Sequence, residues 1–335
     1  MQATHQNKLN RFVHPGTMMS PDMTNELKKT TGSAALQRLI NETPLTYCPR
    51  ALSVVNIGYH GVGQGHAECT KDGEQAYSSA LAFWATGNKK YATMAINILK
   101  TWATTNTVWI GDNAILEASW SVCSMARAAE LLKYSAASQD WSVVEPIFFK
   151  WLDSVIMPVL KNTSIWRWDK IGNWHFSVLC ARMQIAILRE DYTDWAWCTM
   201  TYPDALNKAL VWKLCPGETT ETTRDCCHAM FQIGGMTQVP EMAWHQGIDM
   251  YDSRLVTVCE LQASIQLREI PKGLSETDIH TLDGWYPEPV FELPYAHFNG
   301  RKNIPMPKTA TYLNHIRPEG VVFHWGGATL THHKI

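Results

Sequence analysis

The chain of 335 residues lacks any apolar run of the ~20 residues a membrane-spanning helix needs, which excludes such a helix. No Cys-x-x-Cys pair occurs among its nine cysteines, so a zinc ribbon is excluded; several of them lie in apolar helical runs and read as buried thiols. No His-Glu-x-x-His or similar ligand spacing occurs, and the expectation is no metal and no cofactor. The formal net charge of −2 leaves no global basic field of the kind nucleic-acid binding uses. A polyanionic partner would need positive charge gathered locally. The opening stretch, MQATHQNKLNRFVHPGTMMS, has no apolar h-region and is not a signal peptide. Strand signals are scarce, and only 320–325 reads as a short strand.

What is present is an ordinary globular composition, 45% hydrophobic and 18% charged. Residues 1–50 are polar and read as an arm with one short helix near 33–41. Helix-length segments follow at 75–85, 89–104, 114–134, 142–160, 173–189, 203–214, 221–233, 240–251 and 254–267. In the second of these Tyr91, Met94, Ala95, Ile98 and Leu99 form an amphipathic stripe. Pro203 and Pro240 suit first helical turns, and Gly217 and Gly234-Gly235 suit helix ends. The segment 270–318 is Pro-rich and reads as irregular. So many helices with short connections exceed a four-helix bundle and point to an all-α, incomplete (α/α) toroid of antiparallel hairpins. The expected organisation is a single domain, 1–335, whose residues 270–335 supply loops over the cleft and a C-terminal tail.

Four groups of residues stand out. Glu221, Arg224, Asp225 and His228 are spaced i, i+3, i+4, i+7, which places them on one face if the segment is helical. They read either as a solvated face with an Arg224–Glu221 pair or as a polar stripe toward a cleft. Gly172-Asn173-Trp174-His175 opens an apolar helix, where Asn173 suits an N-cap and the helix dipole favours a carboxylate. The run 291–302, FELPYAHFNGRK, mixes aromatic, basic and polar groups. Gly58–His66 is a Gly-rich loop without the Walker A ending. The 15 Trp and 11 Tyr suit either a large core or the stacking of sugar rings.

The run 76–104, the block RDCCHAMFQIGGMTQVPEMAWHQGIDMY and the segment FELPYAHFNGRKNIPMP together resemble the alginate-lyase-like domain of toroidal polysaccharide lyases. The resemblance covers roughly 50–310 and looks nearest to polysaccharide lyase family 38, whose members act on alginate or glucuronan. It implies an incomplete (α/α) toroid and β-elimination on an acidic polysaccharide. Relatives carry an adjacent Asn-His pair, which here is split as Asn173-x-His175. The Tyr-His that some carry on the Arg helix reads Cys227-His228, which points to Tyr295 for the tyrosine role, with Tyr312 and Tyr286 as competitors.

β-Elimination requires that the C5 carboxylate be neutralised, that a base remove the C5 proton and that an acid protonate the departing O4. Asn173, protonated Glu221 or Arg224 suits the first need. His175 or His228 suits the base, and Tyr295 the acid or both proton-transfer roles. Tyr59, His66, Trp120, Trp244, His245 and Arg301 are the expected subsite residues. The expected protein is an extracellular monomer whose leader has been removed, with a polysaccharide as partner, and no nucleic acid or membrane. Two rivals remain: a toroidal hydrolase using two of Glu117, Glu221, Asp225 and Glu292, and a non-catalytic binder of acidic glycans.

Overall fold

The computed structural model describes residues 9–275, 289–320 and 326–333. An N-terminal arm carries α1 (Pro21–Leu27) and α2 (Ala34–Asn41), one helix more than its sequence suggests. Strands β1 (Val54–Ile57) and β2 (Gly63–Gln64) then lead into α3 (His66–Thr86). They are followed by α4 (Lys89–Thr105), β3 (Val108–Ile110), α5 (Ala114–Lys133), α6 (Ser138–Ser142), α7 (Glu145–Trp151) and α8 (Met157–Leu160). Helices α9 (Asn173–Arg189), α10 (Tyr192–Ala209), α11 (Cys226–His245) and α12 (Arg254–Gln266) come next, then α13 (Glu292–Pro294), α14 (Pro307–Ile316) and α15 (Ala328–His332).

The long helices form two layers. Helices α3, α5, α9 and α11 touch one another in series and make the inner wall, while α4, α7, α10 and α12 pack behind them. The turns explain the alternation. Gly87, with φ 69°, ends α3, and the next residue, Asn88, caps α4 by accepting from the Lys90 N–H. Glu190 in the left-handed region and the Asp191 cap do the same between α9 and α10. Each inner helix thus returns as an outer one, which is the incomplete (α/α) toroid. A single apolar cluster reaches from Phe12 to Ala328. Short strands in the order β2-β1-β3 brace one rim, β1 pairing antiparallel with β2 and parallel with β3. Among the described residues, no helix is long and apolar enough to cross a membrane.

Several boundaries differ from the sequence reading. Pro203 and Pro240 lie inside α10 and α11 rather than at their starts. Gly234-Gly235 does not end a helix: Gly235 lies against Phe176 of α9, where a Cβ would come within 2.5 Å of the Phe176 Cβ. The helix expected over 142–160 is broken by a π-helical turn, Leu152–Ile156. Within 270–318, residues 276–288 lie outside the described residues, and the rest is largely helical, with α13, a π-helical turn at Tyr295–Arg301, and α14 packed on α12. The possible strand at 320–325 also falls mostly outside them. None of the nine cysteines is in a disulfide, and only Cys48 is exposed.

Gly235→Ala tests the α9–α11 contact. Alanine improves helix propensity by ~1 kcal/mol, but the overlap with Phe176 forces the helices apart. The expected net loss is about 1–3 kcal/mol, read as a lower urea midpoint at unchanged m.

Candidate active site

The N-termini of all four inner helices open on one cleft of about 790 Å³. His66 is the first residue of α3, Glu117 and Trp120 lie in the first two turns of α5, Gly172 and Trp174 open α9, and His228 lies in the first turn of α11. Each N-terminus carries about half a positive charge. Lys170 and Arg224 offset the two lining carboxylates, Glu117 and Glu221, so the helix N-termini supply the excess. The positive charge absent from the whole molecule is therefore gathered here. A second hollow of about 660 Å³ adjoins the cleft and shares Tyr59, Trp168 and Trp174 with it. Trp168 and Trp174 lie 5.1 Å apart, and Tyr59 and Trp168 are exposed, so this boundary offers ring faces to a ligand.

Two imidazoles flank the cleft at the ends of the inner arc, and each is held by a carboxylate. His66 Nδ1 lies 2.9 Å from both oxygens of Glu117, itself buried on α5. The hydrogen bond to Glu117 raises the His66 pKa above its ordinary value, outweighing burial, which lowers it. His228 Nδ1 lies 2.6 Å from Asp225 Oδ2, while Asp225 Oδ1 caps α11 through the His228 N–H at 2.7 Å. Burial pushes the Asp225 carboxyl up, but these bonds to His228 outweigh it and hold it below the usual range. In both histidines Nδ1 is engaged, which leaves Nε2 for a ligand.

Glu221 and Arg224 are not on a helix. They lie in the turn before α11, whose cap is Asp225, yet the turn still brings both to the cleft. Glu221 accepts from the Asn173 N–H at 3.0 Å, from Asn173 Nδ2 at 2.8 Å and from Arg224 Nη1 at 3.3 Å. In these contacts it is the acceptor and braces Arg224, whereas the sequence reading offered it as one of three possible donors to the C5 carboxylate. Gly172 permits this approach, since a Cβ there would meet Glu221 Oε1 at 2.5 Å. Asn173 is fully buried beneath the wall. Its amide donor is committed to Glu221, and its Oδ1 has no partner among the described residues.

Other expected site residues lie elsewhere. His175 is buried under the start of α9, accepting from the Gly172 N–H at 3.1 Å and donating from Nε2 to the Ile165 carbonyl at 2.8 Å. Burial lowers its pKa, and both ring nitrogens are used in capping, so it has none left for a substrate proton. Tyr295 packs against the core with the Arg317 guanidinium over its ring at 5.5 Å and does not line the cleft. Tyr312 is buried, and Tyr286 lies outside the described residues. Trp244, His245 and Arg301 gather around Glu241 in the second half of α11, far from His228. Tyr59, His66 and Trp120 do line the cleft; Trp120 donates to Ser177 Oγ at 3.0 Å. The sequence reading passed over Trp168 and Lys170 and gave Trp174 no role within its run Gly172–His175; their signal was a cluster of tryptophan and charge in a polar stretch, WRWDKIGNW. Glu117 it weighed only as a hydrolase carboxylate.

Solved structures share this architecture. Alginate lyase A1-III from Sphingomonas species A1 matches at 17% identity, covering 99% of this chain and 100% of its own, with a TM-score of 0.62. A Tyr-to-Phe variant of alginate lyase A1-III complexed with a tetrasaccharide matches at 17% identity over 98% of both chains, with a TM-score of 0.66. An alginate lyase from Bacteroides ovatus matches at 14% identity over 96% of this chain and 99% of its own, with a TM-score of 0.62. At these identities the likeness is one of fold. No curated protein sequence matches the chain. The alginate lyase family model matches residues 63–260, more than half of the 335, and the chain belongs to the alginate lyase family.

Proposed function

We propose that the cleft binds a polyuronate and cleaves it by β-elimination, with His228 as base for the C5 proton and His66 as acid for the departing O4. The observation that carries this reading is the pair of carboxylate-held imidazoles at the two ends of one arc of helix N-termini. Asp225 fixes the Nδ1–H tautomer of His228, so Nε2 presents a lone pair to the C5 hydrogen. As that proton leaves, the C5–H electrons form the C4=C5 double bond and the C4–O4 bond breaks. His66, kept protonated by Glu117, supplies the proton that O4 needs. Arg224, braced by Glu221, is the cation for the C5 carboxylate, where negative charge grows in the transition state. Lys170 and the helix dipoles hold neighbouring uronates, and Trp168, Trp174 and Tyr59 stack on sugar rings.

Support for elimination over hydrolysis comes from the carboxylates. Glu117, Glu221 and Asp225 are each engaged by a histidine or by Arg224 and Asn173, and Glu292 is buried against Arg317 away from the cleft. Among these four, no pair is left to act as acid and nucleophile. Alginate is the first substrate to test, because the structurally similar enzymes are alginate lyases; glucuronan is the second. New near-ultraviolet absorbance from an unsaturated product is expected on at least one of them. Reducing ends appearing without that absorbance would overturn elimination.

His228→Ala should lower kcat/KM by ~10²–10⁴ with folding intact by thermal melt, and added imidazole should restore part of it. His66 should act in its protonated form, so kcat/KM should fall as pH rises through its pKa, which lies above ~6.5. Glu117→Gln removes the anion that holds this proton and should move the alkaline limb to lower pH; an unmoved limb removes His66 from the acid role. If Tyr286→Phe costs more turnover than His66→Asn, the donor is that tyrosine instead.

Trp168→Ala removes a stacking face but no proton-transfer group. It should raise KM more than it lowers kcat on long oligosaccharides, measured by initial rates across chain lengths. Unchanged constants at every length would leave Trp168 as a surface ring.

A further inference from the structure

Glu241, His245 and His332 lie together in the interior, and one ligand atom from each falls within 4.8 Å of the others. His245 follows Glu241 by one helical turn, whereas His332 arrives from α15. His245 Nε2 lies 3.0 Å and His332 Nε2 3.4 Å from Glu241 Oε1. Neither nitrogen makes a hydrogen bond among the described residues, although both are buried. Their other nitrogens are engaged: His245 Nδ1 donates to the Thr17 carbonyl at 2.9 Å, and His332 Nδ1 lies 2.7 Å from Thr331 Oγ1. The Thr331 hydroxyl donates back to the Gly327 carbonyl at 3.0 Å, so it accepts from His332. Both imidazoles therefore carry hydrogen on Nδ1 and turn Nε2 toward one carboxylate oxygen. Two lone pairs facing a carboxylate repel, unless a cation sits among them.

We propose that Glu241, His245 and His332 bind a divalent transition-metal ion, of which zinc is the representative. Bonds of ~2.0–2.1 Å in a tetrahedron separate ligand atoms by about 3.3 Å, close to the 3.0 and 3.4 Å seen. Two imidazoles and one carboxylate suit zinc, and engagement of each Nδ1–H by an oxygen is the usual support of a metal-bound histidine. Arg301 bonds both oxygens of Glu241, at 2.7 and 2.9 Å, and Tyr251 donates to Oε2 at 2.7 Å. Arg301 places positive charge beside the site, which opposes binding of the ion. Glu241 is 13 positions beyond His228 on α11, ~20 Å along the axis. The ion would join α11 to α15 and the N-terminal arm, far from the cleft, and so act on stability. The sequence reading expected no metal because no His-Glu-x-x-His or similar ligand spacing occurs; here the third ligand, His332, lies far along the chain from the other two.

The test uses the untagged full chain. After equilibration with zinc and desalting, elemental analysis should find one bound equivalent. Dipicolinate should remove it and lower Tm, with zinc restoring the loss; a shift on the order of 5 °C is expected at zinc about a hundredfold above Kd. Cobalt-loaded protein should show visible d–d bands. His332→Gln, folded by circular dichroism, should lose those bands and the bound equivalent. Wild-type protein that retains no zinc and whose Tm responds to neither zinc nor chelator overturns the proposal, leaving an ionic clasp. Unchanged zinc in His332→Gln also overturns it, since the ion then binds elsewhere. Both readouts are independent of lyase activity, so failure here leaves the reading of the cleft untouched.

Discussion

Four helices begin at the same place, and most of what the cleft can do follows from that. Parallel inner helices in a toroid put all their free N–H groups at one end. A protein with net charge −2 thereby acquires a local positive field without a basic surface. The same geometry explains why residues from α3, α5, α9 and α11, separated by up to 162 positions between His66 and His228, meet around one ligand-sized space. Caps and functional groups coincide here. Asp225 caps α11 and also holds His228, while the start of α9 binds the carboxylate that braces Arg224.

The inner wall also has to satisfy charges placed deep within it. Arg127 of α5 is buried and donates to Gln184 of α9 at 3.0 Å and to Gln238 of α11 at 2.5 Å, tying three inner helices together. Glu130, one turn farther along α5, accepts from the Gly16 and Thr17 N–H groups at 2.8 and 2.9 Å and lies 2.9 Å from His14 Nδ1. Arg182 and Asp194 pair at 2.7 Å across the α9–α10 hairpin. Removing one partner of such a set leaves a buried charge uncompensated, typically ~3–5 kcal/mol, whereas the intact set contributes far less. These contacts therefore select this arrangement of helices more than they add to its stability.

The helices were legible because apolar periodicity survives in a single sequence, and α9 was read to its ends. Helix breaks were less so. Locally Pro240 looks like a helix start and Gly234-Gly235 like a helix end, but α11 runs through both because burial on all sides outweighs propensity, and Gly235 is needed for the approach of Phe176. Glu221, Arg224 and His228 do line one cleft, but not for the reason their spacing suggested. A turn and a cap bring them together where a continuous helical face was expected. His175 and Tyr295 could not be judged from composition, since whether a side chain faces a cleft or the underside of a helix depends on neighbours distant in sequence. The His66–Glu117 pair spans 51 positions and two helices, and only the toroid brings it together.

The N-terminal arm and the helix that ends at His332 are both fastened to the C-terminal half of the inner helices, through Glu130, His245 and Gln246 on one side and Glu241 on the other. The cleft lies at the opposite end of those helices. A bead, a fusion partner or a neighbouring enzyme held against the arm or α15 would thus sit behind the molecule, with the mouth of the cleft turned outward to a polymer too large to diffuse into a matrix.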